Sequence, residues 1–186
     1  MKQKNRQRGS VTLETAIVLP IFFFMFMAVI GIFRVVVAQN QMTHVLVQST
    51  KSMALDSYLA DSIKVSEMGN YKDLLSLVLA IDNNDNGKNG YFVSDEQWYT
   101  GGSADAIAKK RFIGYLTGGD TDKAQEKLKS LGIVDGMEGV KFKTEVDGEN
   151  FQVTISYEIQ YWFDMFEMGK IPMEQTMYCR LWKSTT

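Results

Sequence analysis

Hydrophobic and polar positions follow three successive patterns along the chain. From Thr15 to Phe33 the run TAIVLPIFFFMFMAVIGIF holds 19 residues and no charge. At about 1.5 Å per residue a helix of that length covers roughly 28 Å, close to the roughly 30 Å hydrocarbon core of a bilayer. Three consecutive phenylalanines leave it no polar face, which the buried helix of a soluble protein seldom lacks, so the pattern predicts a membrane span. A cleaved secretory signal is the rival reading. Its apolar stretch is usually about 7–15 residues and ends at a small-residue cut site, and no clear site of that kind follows here.

Beyond the run the period becomes helical. Ala38, Met42, Val45, Ser49, Met53 and Leu59 recur every three to four residues, while Gln39, Gln41, Gln48, Lys51 and Asp56 fill the other faces. One long helix from about Ser10 to Ile63 is expected. Met68, Gly69 and Asn70 read as a stop, and Tyr71 to Ile81 as a short helix with Leu74, Leu75, Val78 and Leu79 inward. Asp82 to Gly90 is rich in turn formers, Tyr91 to Val93 reads as a short strand, and Ala104–Tyr115 and Thr121–Leu131 read as helices separated by Gly118 and Gly119. Gly132 follows as a C-cap.

From Phe151 the period drops to two. FQVTISYEIQYW places Phe151, Val153, Ile155, Tyr157, Ile159 and Tyr161 on one face, which predicts a strand. Val140–Val146 and Met173–Trp182 are its candidate partners, and Asp147 to Asn150 the hairpin turn between the first two. A three-stranded antiparallel meander follows, and so small a sheet needs a covering layer, for which the half of the long helix beyond the span is the natural element. The fold class is α+β.

Charge adds an orientation. Lys2, Lys4, Arg6 and Arg8 precede the apolar run, whereas its far side opens on a single Arg34, so the N-terminus is expected in the cytoplasm and everything past about residue 38 outside it. Arg34 can snorkel to the headgroups from there. The remaining 148 residues are enough for one domain with its own core, and no internal repeat, charge block or linker divides them.

Glu14 is the departure from a plain anchor. A carboxylate at the lip of an apolar span is tolerated near the interface and favoured in a helix's first turn. Counted from Ser10, however, it is the fifth residue after Gly9, directly before the apolar run. That arrangement resembles the class III signal of type IV prepilins and pseudopilins. The longer string RGSVTLETAIVLP, through Arg8, Gly9, Glu14, Ala16, Val18, Leu19 and Pro20, resembles the TadE-like minor pseudopilins of tight-adherence (Tad) pili, with a weaker echo in Arg180, Leu181 and Trp182.

The resemblance implies that a membrane-embedded prepilin peptidase cuts between Gly9 and Ser10, keeping the apolar segment as the mature N-terminal helix. Residues 1–9 are then a basic leader, 10–38 a transmembrane helix and 39–186 an extracytoplasmic, pilin-like domain in which the helix packs on the sheet. Glu14 would pair with the new N-terminal amine. The implied partners are the peptidase, other pilins or pseudopilins, the inner-membrane assembly machinery and membrane lipid. Thr15 stands where short major Tad pilins carry Tyr, and 186 residues is far longer than those pilins, which disfavours a major filament subunit. Ser10 replaces the Phe common at the first mature position of many type IV pilins, leaving N-methylation open.

Simple electrostatics agrees with the implied role of Glu14. An ionised carboxylate among apolar helices is costly unless paired, and a neighbouring subunit's α-amine supplies the opposite charge. Loss of the four leader cations takes the formal charge from −2 to −6, an acidic balance that argues against nucleic-acid binding. Pro20 lacks the N–H that would bond the carbonyl of Ala16, so it is either a helix kink or an ordinary membrane proline.

Other chemistry is sparse. Asp82, Asn84, Asn86 and Gly87 fit the first half of an EF-hand calcium loop, but Val93 stands where the bidentate Glu belongs, and the same residues read better as a solvated Asn/Gly turn. His44 and Cys179 are the chain's single histidine and cysteine with nothing tying them together, the former a packing or surface residue, and no internal disulfide can form. No cofactor and no catalysis are expected. Tyr161, Trp162, Phe163, Phe166, Tyr178 and Trp182 read mostly as core or sheet packing, with the loop holding Met165, Phe166 and Met168 before Pro172 the first candidate for contact with another pilus component. Two functions remain: a TadE-type minor pseudopilin in pilus biogenesis or adhesion, in the pilus or at its base, or an uncut, signal-anchored surface binding protein, with or without calcium.

Overall fold

The computed structural model describes residues 4–62, 104–160 and 169–181, with the side chains of the first segment described from Leu13 to Ser57. Within these, α1 spans Lys4–Ser62, α2 Asp105–Thr117 and α3 Thr121–Ser130, followed by β1 at Lys141–Asp147, β2 at Asn150–Gln160 and β3 at Lys170–Arg180. The α+β arrangement expected from the sequence is therefore present, and α1 begins six residues before Ser10. The expected helix over 71–81, the turn-rich loop and strand that follow it, the calcium-loop residues Asp82, Asn84 and Asn86, the 161–168 aromatic loop and Trp182 lie outside the described residues.

Two environments divide α1. From Leu13 to Val37 most of its large apolar side chains are exposed, Phe23 and Phe33 each at 65%, with Met27 and Val35 half-buried. Ala38, Met42, Val45, Leu46 and Met53 are instead buried. The stripe predicted from three-to-four-residue spacing is thus the buried one, and it starts where the uncharged run has ended. A helix of 59 residues spans about 88 Å, far more than the roughly 30 Å of a bilayer's hydrocarbon core.

The sheet order is β1-β2-β3, antiparallel throughout. Asp147 pairs with Asn150 across a two-residue turn whose first central residue, Gly148, has φ +60°, as a type II′ turn requires. On β2, Phe151, Val153, Ile155, Tyr157 and Ile159 are buried, and the residues between them face outward. On β3 the inward neighbours are Cys179, Met177, Gln175, Met173 and Ile171, paired in that order with those five. Outward-facing Tyr178 is 68% exposed, so this aromatic is not core packing. β3 starts at Lys170, three residues before the expected start at Met173, and so takes in Pro172, whose missing N–H is tolerated on a strand that is at the edge among the described residues.

One core joins these layers. It contains the distal stripe of α1, Phe112, Ile113 and Leu116 of α2, Leu128 of α3, and the inner face of β2. Phe112 meets Phe142 of β1 edge to face at 5.4 Å. Asp105 in the first turn of α2 accepts from the backbone N–H and the hydroxyl of Thr144, each at 2.7 Å, fastening that helix to β1. At the far end of α3, Gly132 at φ +84° lets its own N–H reach Lys129 O and that of Ile133 reach Leu128 O, a Schellman ending. The Val134 N–H then donates to the Glu158 carbonyl and the Gln160 N–H to that of Gly132, pairing this turn with the end of β2.

Candidate functional site along the N-terminal helix

Gly9, Ser10, Glu14 and Pro20 all lie on α1, whose helical backbone is continuous through Pro20. Ser10 and Glu14 are four residues apart, so a helical backbone puts them on the same face one turn from each other. Glu14 is exposed, and the apolar residues after it, among them Leu19, Phe22 and Phe26, are exposed with it. This part of α1 is long and apolar enough to cross a membrane and is not covered by the described domain, which fits a single-pass membrane protein and not the core helix of a soluble one.

The domain end of α1 is anchored by polar contacts that the spacing alone did not disclose. Asp56, expected on a polar face, is buried, and its carboxylate accepts from the Arg111 guanidinium of α2. Arg111 also donates to the Ser52 hydroxyl at 2.7 Å and is only 1% exposed. The correction has a physical cause: a carboxylate can enter a core when a guanidinium from elsewhere in the chain meets it there. Nearby, Ser49, Thr50 and Ser57 are buried with their hydroxyls bonded back to carbonyls of the preceding turn.

A second seam lies between α1 and β3. Gln175 donates to the Tyr157 hydroxyl at 3.0 Å and to the Gln39 carbonyl at 3.4 Å, while the Gln39 amide reaches the Met173 sulfur at 3.2 Å. Burial pushes the Tyr157 phenol up to about 12. Cys179 sits opposite Phe151, half-buried, and burial raises its thiol above the ordinary value, which keeps it protonated and unreactive; the Lys51 ammonium opposes this shift weakly. His44 is exposed on α1, a surface residue.

A family model described as TadE-like protein matches residues 9–49. Over these residues the chain is similar to that family. The match opens at Gly9, takes in Glu14 and the exposed apolar span, and ends on the first turns of the buried stripe. The matched family is a structural, pilus-associated one. No curated protein and no solved structure matches the chain. α2, α3 and the sheet are thus outside the TadE-like segment, although they supply most of the core against which its last turns pack.

Proposed function

We propose that the chain is a minor pseudopilin of a Tad-type pilus, cut after Gly9 by a prepilin peptidase and active in pilus biogenesis or adhesion. The observation that carries this reading is the order Gly9, Ser10, Glu14, exposed apolar helix, within the matched segment. A simple anchor needs neither a glycine at the cytoplasmic edge nor an acid at the start of its span. Cutting leaves an α-amine on Ser10, and Glu14 of one subunit then offers the counter-charge for the amine of the next, which sets the register between neighbouring apolar helices in a low-dielectric surrounding. The N-terminus stays cytoplasmic, and the domain from residue 39 onward stands outside, held upright on α1 by the Asp56–Arg111 pair and the core. Prepilin peptidase, other pilins and the inner-membrane assembly machinery are the partners.

Glu14→Ala tests the division of labour between cutting and assembly. The variant is expected to lose its leader as the parent does, yet to fail in entering the assembled pilus or its basal complex, as read by its co-purification with the other pilus components. Normal assembly of this variant would remove Glu14 from the mechanism.

A further inference from the structure

We propose that the foot of the domain, made by the turn after α3 and the end of β2, is seated in the headgroup layer of the leaflet on the domain's side, so that lipid covers the apolar band of α1 beside it. This rests on the membrane reading given above. The band holds Ile30, Ile32, Phe33, Val36 and Val37, all exposed, and it continues the exposed apolar surface of the span beyond the end of the uncharged run. At 3.6 residues per turn these five side chains spread over roughly 160° of the helix. One packed neighbouring helix takes a stripe about 100° wide, whereas lipid covers every side that the domain leaves open.

Lengths along α1 set the level of the foot. The run from Thr15 to Phe33 fills the roughly 30 Å of hydrocarbon at about 1.5 Å per residue. Arg34 to Val37 then rise about 6 Å more, the share of one headgroup layer in a bilayer about 40–45 Å thick overall. Lys129, Leu131 and Gln160 line one cleft with Ile30, Phe33 and Val37, so the foot stands at the height of those residues and not above them. Its backbone suits that place. The N–H groups of Leu131, Gly132, Ile133 and Val134 donate to the carbonyls of Lys127, Lys129, Leu128 and Glu158, and that of Gln160 to Gly132. A layer poorer in water therefore meets no bare donor among them. Lys129 and Ser130, exposed at the tip of the turn, bring polar ends to the headgroups while the lysine stem lies along the apolar side.

The test uses the full chain carrying Cys179→Ser, reconstituted in phosphatidylcholine vesicles and labelled with a fluorophore at one introduced cysteine. Ser130→Cys reports the foot, Asp147→Cys the opposite end of the sheet and Met25→Cys the middle of the span, all exposed positions. The 11 residues of β2 carry the sheet about 35 Å from its foot to the turn at Asp147. A nitroxide on the lipid headgroup should remove most of the emission at 130 and little of it at 147, and a nitroxide deep on the acyl chain should quench the label at 25. Lys129→Cys repeats the foot measurement should Ser130→Cys not fold. Equal quenching at 130 and 147 would overturn the proposal. So would foot quenching that falls as the ratio of protein to lipid rises, because a second copy would then be displacing the lipid. Failure of the acyl-chain nitroxide to quench the label at 25 would instead overturn the membrane reading beneath it.

Discussion

Asp56 and Arg111 are 55 residues apart in sequence and meet in a part of the molecule where neither could be left alone. The spacing along α1 put Asp56 among residues turned to water, because a period of three to four separates faces but does not say what another helix will bring to them. Arg111 carried no sequence signal of its own; its place in α2 between buried Ala108 and Phe112 is the only hint, and it becomes readable once α2 is packed on α1. Arg111→Ala or Asp56→Ala is expected to destabilise the domain by about 3–5 kcal/mol, since each leaves a charge buried without its counterpart. Replacing both by apolar residues of similar volume should cost much less than either single change, because no uncompensated charge remains. Urea denaturation of the full chain in detergent, followed by tryptophan fluorescence or circular dichroism, reads the difference. Equal losses for the single and double variants would mean that the guanidinium and carboxylate do not act as a pair. By contrast, the roles proposed for Gly9, Ser10 and Glu14 rest on local spacing along a single helix.

The elements divide in the same way. The strands were readable from period two, and Phe151, Val153, Ile155, Tyr157 and Ile159 are buried as that period requires. The hairpin was readable from Asp147-Gly148-Glu149-Asn150, and the ending of α3 from Gly132. The start of β3 was not, because a proline reads as a strand breaker unless the strand is known to lie at an edge, which is a property of the sheet and not of the residue. The turn offers a direct check. A Cβ added at Gly148 would meet nothing within 4 Å, so Gly148→Ala carries no steric clash, only the backbone cost of φ +60° in an L-residue. That cost is about 1–2 kcal/mol. A thermal melt should therefore show a modest fall in Tm with the sheet intact; no change would mean that this turn does not need its left-handed residue.

Seen whole, the molecule sets one helix in two solvents. Its first half is apolar and mostly exposed along the described residues, while its second half has a buried stripe and a fixed partner in α2 and the sheet. Length and hydropathy made the first half legible without any tertiary knowledge. The junction between α1 and the domain was not legible, because Phe33 and Val37 of α1 and Leu131 and Ile133 after α3 line one cleft only once the chain has folded back on α1. The central claim, however, concerns the first ten residues: that the leader is removed and the helix kept. Intact mass with N-terminal sequencing of the chain recovered from its own membrane measures this most directly. A mature chain beginning at Ser10 and retaining the whole apolar helix is the predicted result; a chain still beginning at Met1, or one beginning beyond Phe33, contradicts the account.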